Sequence, residues 1–280
     1  MLEKIGLYFN RYYYSDGQVY VKARLKECFK KRNIKLCCLE DNHSYMIFWD
    51  KDTLKAKDYE LSGVRLLNSS SAIELCDNKA LTYLHLAKEN PNIKLINTKF
   101  APLCFLEQTL PDWQFLNKVE KSFGYPVIAK HNVGSLGSAV FLLNDRVELD
   151  NFFVKNATVP CMYQECLKPS GIDYRIYTVG KNAIAGMMRK NEKSFVSNVE
   201  AGGKATLIDL NFKDYKILAS LAEEIATALN LNYGAIDFCF CNKTNQFYFL
   251  EANSNAYFKA IEKLGKDIAE QLVNYICSII

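Results

Sequence analysis

YGAIDFCFCNKTNQFYFLEAN, residues 233–253, is the stretch on which the fold reading turns. Two apolar, β-prone runs flank the polar segment Asn242–Gln246, so the stretch reads as a β-hairpin. That loop sets Cys241 against Phe247, and counting back along both arms brings Asp237 opposite Glu251. Glu251 and Asn253, two apart, then share a face, because side chains alternate along a strand. Like charges directly opposed in a sheet are destabilising unless a cation lies between them. Two carboxylates and an amide carbonyl are hard oxygen donors of the kind that suit Mg²⁺, which usually shares its coordination with water and phosphates. The alternative is a solvated face carrying unrelated polar side chains. Ile236, Phe238, Leu250 and Ala252 mark the opposite face as buried.

Upstream, PVIAK (126–130) reads as a strand, and HNVGSLGSA (131–139) as a loop leading into the strand VFLL (140–143). Gly134, Ser135 and Gly137 offer backbone N–H groups that can approach a polyphosphate, with Lys130 at the end of the strand. The loop lacks the GKS or GKT of a Walker A motif and leads into a strand, which also excludes a Rossmann fingerprint. An ordinary mobile turn is the competing reading. IDYRIYTVG (172–180) and AIAGMMRK (183–190) read as a second hairpin turning at Gly180-Lys181-Asn182. Arg175 and Arg189 lie on it, and Arg189 ends the apolar run, where a guanidinium can face a cleft and stabilise a transferring phosphoryl group. A helix over 213–230 precedes the 233–253 hairpin, and one over 262–277 follows it. Toward the start, KIGLYFN (4–10), a helix over 21–33 and strands at Ile34–Leu39 and Met46–Trp49 read as an α/β opening with a parallel sheet. Asn68 and three serines form a turn before a helical segment that carries Asp77 and Lys79. DWQFLNKVEKSFG (112–124) has the pattern of an amphipathic helix closed by Gly124.

The 280 residues are 49% apolar and 24% charged, enough for a full core in two or three compact units. Net charge +4 is too mild for a dedicated nucleic-acid binder, so no nucleic-acid partner is expected. The ten cysteines lack the CxxC pairs of zinc sites, and with three histidines they read as free thiols in a reducing compartment. No apolar run reaches membrane-span length and no secretory signal is visible, so a cytoplasmic location without membrane contact is expected. GxSxG is absent and no cysteine has an obvious histidine partner, which removes the common nucleophilic mechanisms.

Taken together, the pieces resemble the ATP-grasp superfamily, specifically RimK-like α-L-glutamate ligases. The resemblance rests on LLNSSSAIELCDNKALT (66–82), Asn97-Thr98, FGYPVIAKHNVGSLGSAVFLL (123–143), YQECLKPSGIDYRIYTVG (163–180), MMRK with Ser197-Asn198 and AGG (187–203), YGAIDF (233–238) and LEANSN…IEKLGKDIA (250–269). These cover most of residues 66–270 in family order; residues 1–65 resemble only the general α/β opening domain of such enzymes. The resemblance implies an α/β (α+β) ATP-grasp fold. Its divisions are an N-terminal parallel α/β domain (1–78), a central subdomain with the glycine loop (79–163) and a C-terminal subdomain with the metal site (164–280). It implies ATP with Mg²⁺ (or Mn²⁺) and a homo-oligomer. It also implies an ADP-producing carboxylate–amine ligase that passes through an acylphosphate and adds an amino acid such as glutamate to a carboxylate acceptor. A peptide-tailoring or macrocyclising ligase acting on a peptide or carrier protein is the alternative, and a non-catalytic ATP-binding module a third reading.

By the same resemblance, Lys79 and Lys130 contact the phosphates, together with Gly134, Ser135 and Gly137. Gln164, Glu165, Cys166 and Leu167 form the adenine hinge, and Asp173 lies near the ribose. Asp237, Glu251 and Asn253 match the metal ligands, Arg189 the arginine beside the transferred phosphate, and Asn198 the nearby loop. The chain departs from the family pattern at Ala139, where the loop usually ends in glycine. It departs again at Val196-Ser197-Asn198, where Arg-Ser-Asn is usual, and in the turn Asn253-Ser254-Asn255-Ala256-Tyr257.

Overall fold

Ser15 begins the first long helix with a capping box: its hydroxyl accepts from the Gln18 backbone N–H while the Gln18 side chain accepts from the Ser15 N–H. The computed structural model describes residues 4–10, 15–38, 43–89, 92–107, 110–134, 139–167, 171–191 and 203–280. The opening unit runs β1 (Lys4–Tyr8), α1 (Asp16–Lys30), β2 (Lys35–Cys38), β3 (Tyr45–Phe48), α2 (Thr53–Leu61) and β4 (Arg65–Leu67). Its four strands are parallel in the order β2-β1-β3-β4, as the strand–helix–strand pattern predicts. The helical segment that follows is two helices, α3 (Ser70–Asp77) and α4 (Lys79–Glu89). They break at Asn78, whose backbone is extended and bridges to Val133.

The middle of the chain forms β5 (Thr98–Phe100), α5 (Trp113–Phe123), β6 (Val127–His131), β7 (Val140–Leu143), α6 (Arg146–Lys155) and β8 (Cys161–Glu165). Its antiparallel sheet has the order β5-β8-β6-β7. One face, with Val127, Ala129, Cys161 and Tyr163, packs on α5 and α6 in a core of its own. Ile128, Lys130, Met162 and Gln164 alternate onto the other face.

The last part forms β9 (Ile172–Val179), β10 (Asn182–Lys190), β11 (Lys204–Ile208), α7 (Tyr215–Ala228), β12 (Tyr233–Cys241), β13 (Gln246–Asn253), α8 (Lys259–Lys263) and α9 (Ile268–Ile279). The five strands lie in the order β11-β10-β9-β12-β13, all antiparallel. Ile176, Ile236, Phe238 and Ala252 turn to a core under α7. Tyr177, Val179, Met187, Tyr233 and Ala235 turn the other way, into a core shared with α9 and with the opening unit through Ile5, Leu25 and Trp49. Trp49 is the hub of that junction, with ring centroids 5.0 Å from Tyr233 and 5.8 Å from Phe258. Among the described residues no helix is long and apolar enough to cross a membrane.

Candidate functional site

β12 and β13 pair Asp237 with Glu251, but by a different route from the count along the hairpin. At the tip Cys241 faces Gln246, not Phe247, so the register there is shifted by one residue. A β-bulge between Asp237 and Phe238 on one side and Glu251 and Phe249 on the other absorbs Leu250 and restores the pair. Two differences cancel, and Leu250 leaves the buried face that the sequence assigns to it.

The same alternation that buries Ile236 and Phe238 under α7 turns Asp237 to the opposite face, beyond Tyr233 and Ala235. Asp237 is cross-strand neighbour to Glu251 on one side and to Arg175 on the other, and Arg189 faces Asp173 in the adjoining pair of strands. The Arg175 guanidinium donates to both Asp237 oxygens, Nε to Oδ1 at 2.7 Å and Nη2 to Oδ2 at 2.6 Å. Arg189 donates to both oxygens of Asp173 at 2.6 Å and adds a bond from Nη2 to Asp237 Oδ2 at 2.9 Å. Opposite charges on adjacent strands stabilise the sheet, and planar bidentate pairs fix their geometry. Burial pushes the Asp237 carboxyl up, but Arg175 and Arg189 outweigh it and hold it below the ordinary aspartate range. Glu251 is half-buried and touches Asn253, whose amide donates to it at 3.3 Å.

Across the cleft stand two lysines. Burial lowers the Lys130 ammonium to about 8, with Lys79 lowering it further and Glu251 opposing the shift. Burial likewise lowers Lys79, again against Glu251, while Lys51 adds to the shift. Lys79 is tied to the root of the glycine loop: its backbone N–H donates to Asn132 at 2.8 Å and its ammonium to the Gly134 carbonyl at 2.6 Å. A Cβ on Gly134 would come within 2.7 Å of the Ala139 methyl, so the two ends of the loop approach closely across a glycine. At the hinge, the Gln164 side chain donates to Thr98 Oγ1 at 2.9 Å, while its buried Oε1 has no partner among the described residues. Glu165 is half-buried and donates its backbone N–H to the Asn97 carbonyl at 3.0 Å, and Cys166 and Leu167 are half-buried beside it.

The fold therefore brings Lys79, Lys130, Asp173, Arg189, Asp237, Glu251 and Asn253 to facing walls, with Gly134 and Gln164–Leu167 along the central sheet. Ser135, Gly137 and Asn198 lie outside the described residues. Asp173, expected near a ribose, has both oxygens on Arg189. Arg175, to which the hairpin pattern assigns no role, binds Asp237; the Asp173-x-Arg175 spacing puts both side chains on Asp237's face. Cys239, two residues past Asp237, also turns into the cleft, where Lys130 opposes the rise in its thiol pKa that burial causes.

Four cations (Lys79, Lys130, Arg175, Arg189) and three carboxylates (Asp173, Asp237, Glu251) interact across these walls among the described residues. A buried ammonium lowered to about 8 and a buried Gln164 oxygen without a partner among the described residues suit an anionic, hydrogen-bonding ligand. Asp237, Glu251 and Asn253 supply the hard oxygens that Mg²⁺ takes, so both groups fit the residues present.

Comparison with known proteins bears on the same residues. The pattern that defines the RimK-like ATP-grasp domain matches residues 76–276. An uncharacterised protein of Mycoplasma pneumoniae is 32% identical over 81% of this chain and 78% of its own length. A protein of Syntrophotalea carbinolica named a probable alpha-L-glutamate ligase is 27% identical over 80% of this chain and 71% of its own. The crystal structure of D-alanine–D-alanine ligase from Bacillus anthracis complexed with ATP has a TM-score of 0.73 at 14% identity, over 99% of this chain and 96% of the other.

Proposed function

We propose, for a chain that belongs to the RimK-like ATP-grasp family and is an ATP-grasp ligase, that it joins an amino acid such as glutamate to a carboxylate acceptor through an acylphosphate. The observation that carries the reading is the cross-strand row Arg175–Asp237–Glu251 facing the buried Lys130. The reaction needs no nucleophile from that row, because the attacking groups come from the substrates.

Lys79 and Lys130 hold the phosphates, with Gly134 at the root of the glycine loop beside them. Gln164–Leu167 border the base, where the free Gln164 oxygen accepts from its amino group. A Mg²⁺ held by Asp237, Glu251 and Asn253 would neutralise charge on the phosphates and align them for transfer. The acceptor carboxylate attacks the γ-phosphorus and ADP leaves. The amine then attacks the activated carbonyl and expels phosphate. Arg189 stabilises the charge on the phosphoryl group in flight, and Asp173, gripping the Nε–Nη2 edge of its guanidinium, fixes where that charge is met. Arg175 keeps Asp237 ionised and oriented. Catalysis on this reading is positioning and electrostatics, and closure of the site protects the acylphosphate from water.

The test is an ADP-release screen of amino acids against carboxylate and peptide acceptors, with product masses recorded. Amine-dependent ADP release with a product heavier by one amino-acid residue supports the proposal. A peptide product lighter by one water marks a macrocyclising ligase instead. Tight ATP binding with no ADP release under any pairing leaves a binding module. Glu251→Gln is the clean metal variant, since Glu251 is half-buried and contacts only Asn253 among the hydrogen bonds above.

A further inference from the structure

Asn68 reads in the sequence as part of a turn before a helix, yet it is 2% exposed and no turn needs it buried. It follows β4 directly, and its side chain reaches across to the two ends of the β12–β13 hairpin. The amide nitrogen donates to the Tyr233 carbonyl at 2.7 Å and to the Ser254 carbonyl at 2.8 Å. The amide oxygen accepts from the backbone N–H of Asn232 at 2.7 Å and of Tyr233 at 3.1 Å. Two carbonyls on one side and two N–H groups on the other settle which atom is which, and the amide's capacity is fully used. Only asparagine is short enough, and both donor and acceptor, to make this set.

The bonded residues frame the metal candidates. Asn232 precedes β12 and Tyr233 opens it, four residues before Asp237, and Ser254 follows Asn253 directly. Ala235 pairs with Asn253, and a Cβ on Gly234 would lie 3.0 Å from the Asn253 carbonyl oxygen, so the strand roots have little slack. Two buried hydroxyls extend the fastening: Tyr233 donates to the Ala256 carbonyl at 2.6 Å and Tyr177 to the Tyr257 carbonyl at 2.9 Å.

We infer that Asn68 is a positioning residue for the metal site: from the opening α/β unit it sets the spacing of the strand roots that carry Asp237 and Asn253. The inference rests on the reading of Asp237, Glu251 and Asn253 as metal ligands. Its consequence is that the opening unit is part of the metal site's frame.

The test is Mn²⁺ binding to the full chain with ADP present, read by the electron paramagnetic resonance of free Mn²⁺. Wild type is compared with Glu251→Gln, Asn68→Asp and Gly234→Ala, and each variant's thermal melt is recorded. Asn68→Asp keeps the two N–H bonds but sets an oxygen against two carbonyls. It is expected to stay folded and bind Mn²⁺ at least tenfold more weakly, with metal-free ADP affinity unchanged. Gly234→Ala, which crowds the Asn253 carbonyl and the Leu231 side chain without touching Asn68, weakens Mn²⁺ in the same direction. Absence of Mn²⁺ binding by wild type, or wild-type binding by Glu251→Gln, removes the metal site and the inference with it. If those two controls behave and Asn68→Asp binds Mn²⁺ like wild type, or loses its fold, Asn68 only holds the fold together and the inference alone is overturned.

Discussion

Asp237 and Glu251 face each other across one hydrogen-bonded pair of strands, yet they respond differently to removal of charge. Asp237→Asn leaves Arg175 buried against an amide, and breaking one side of a buried ion pair typically costs about 3–5 kcal/mol. Its loss of activity is therefore expected together with a lower melting temperature. Glu251→Gln is expected to abolish amine-dependent ADP release while the melt stays within a few degrees of wild type. Arg189→Lys keeps the charge but loses the bidentate grip on Asp173. It is expected to lower kcat on the order of a hundredfold while KM for ATP changes little, the mark of a contact made in the transition state. Lys130 sets a pH dependence. Its ammonium, held near 8, loses its proton as pH rises past that value, and only the charged form attracts phosphate. Nucleotide affinity is expected to fall about tenfold between pH 7 and 9, and Lys130→Arg, which stays charged, flattens the profile in a titration by calorimetry.

Among the elements, the β12–β13 hairpin shows how pattern and geometry divide the work. Alternation of apolar and polar residues puts Ile236 and Phe238 on one face and Asp237 on the other, and a sequence displays that directly. The bulge at Leu250 does not announce itself, because an extra residue in one strand changes no local propensity. The split of the 70–89 segment at Asn78 is similar: the helical period runs through it, and the break coincides with an isolated bridge to Val133, two residues past β6. α7 lies on the back of the site, with Leu218, Ala222 and Ile225 fully buried against the sheet. Ile225→Ala is expected to destabilise the protein by about 2–5 kcal/mol, measured by urea unfolding. Nucleotide affinity of the folded fraction should be unchanged, because the residue touches the core and not the cleft.

At the scale of the molecule, the boundaries drawn at 79 and 164 meet an uneven distribution of cores. The opening unit and the C-terminal sheet share one core through Trp49, Tyr233 and Phe258, and α3 and α4 contribute Ala72, Cys76 and Leu86 to the core under α7. The central sheet with α5 and α6 has a core to itself. Arg24 adds to the first junction, bonding Glu262 and Asp267, both at 2.9 Å. The two tryptophans separate the two regions, Trp49 in the shared core and Trp113 at the start of α5 under the Arg146 guanidinium. In the single-tryptophan chains Trp113→Phe and Trp49→Phe, fluorescence is expected to report two denaturant midpoints, the central region melting first. Coincident midpoints would make the whole chain one cooperative unit.

The chain alone determined the parallel opening sheet, the late hairpin and the chemistry of most residues that line the cleft, because periodicity and residue type are local properties. Tertiary structure alone decided that Arg175 holds Asp237 and Asp173 holds Arg189, that Leu250 bulges, and that Asn68 fastens a hairpin more than 160 residues away along the chain. Those facts depend on which strands become neighbours and on how burial strengthens a charge pair or penalises an unmet hydrogen bond. Neither neighbourhood nor burial is written at any single position.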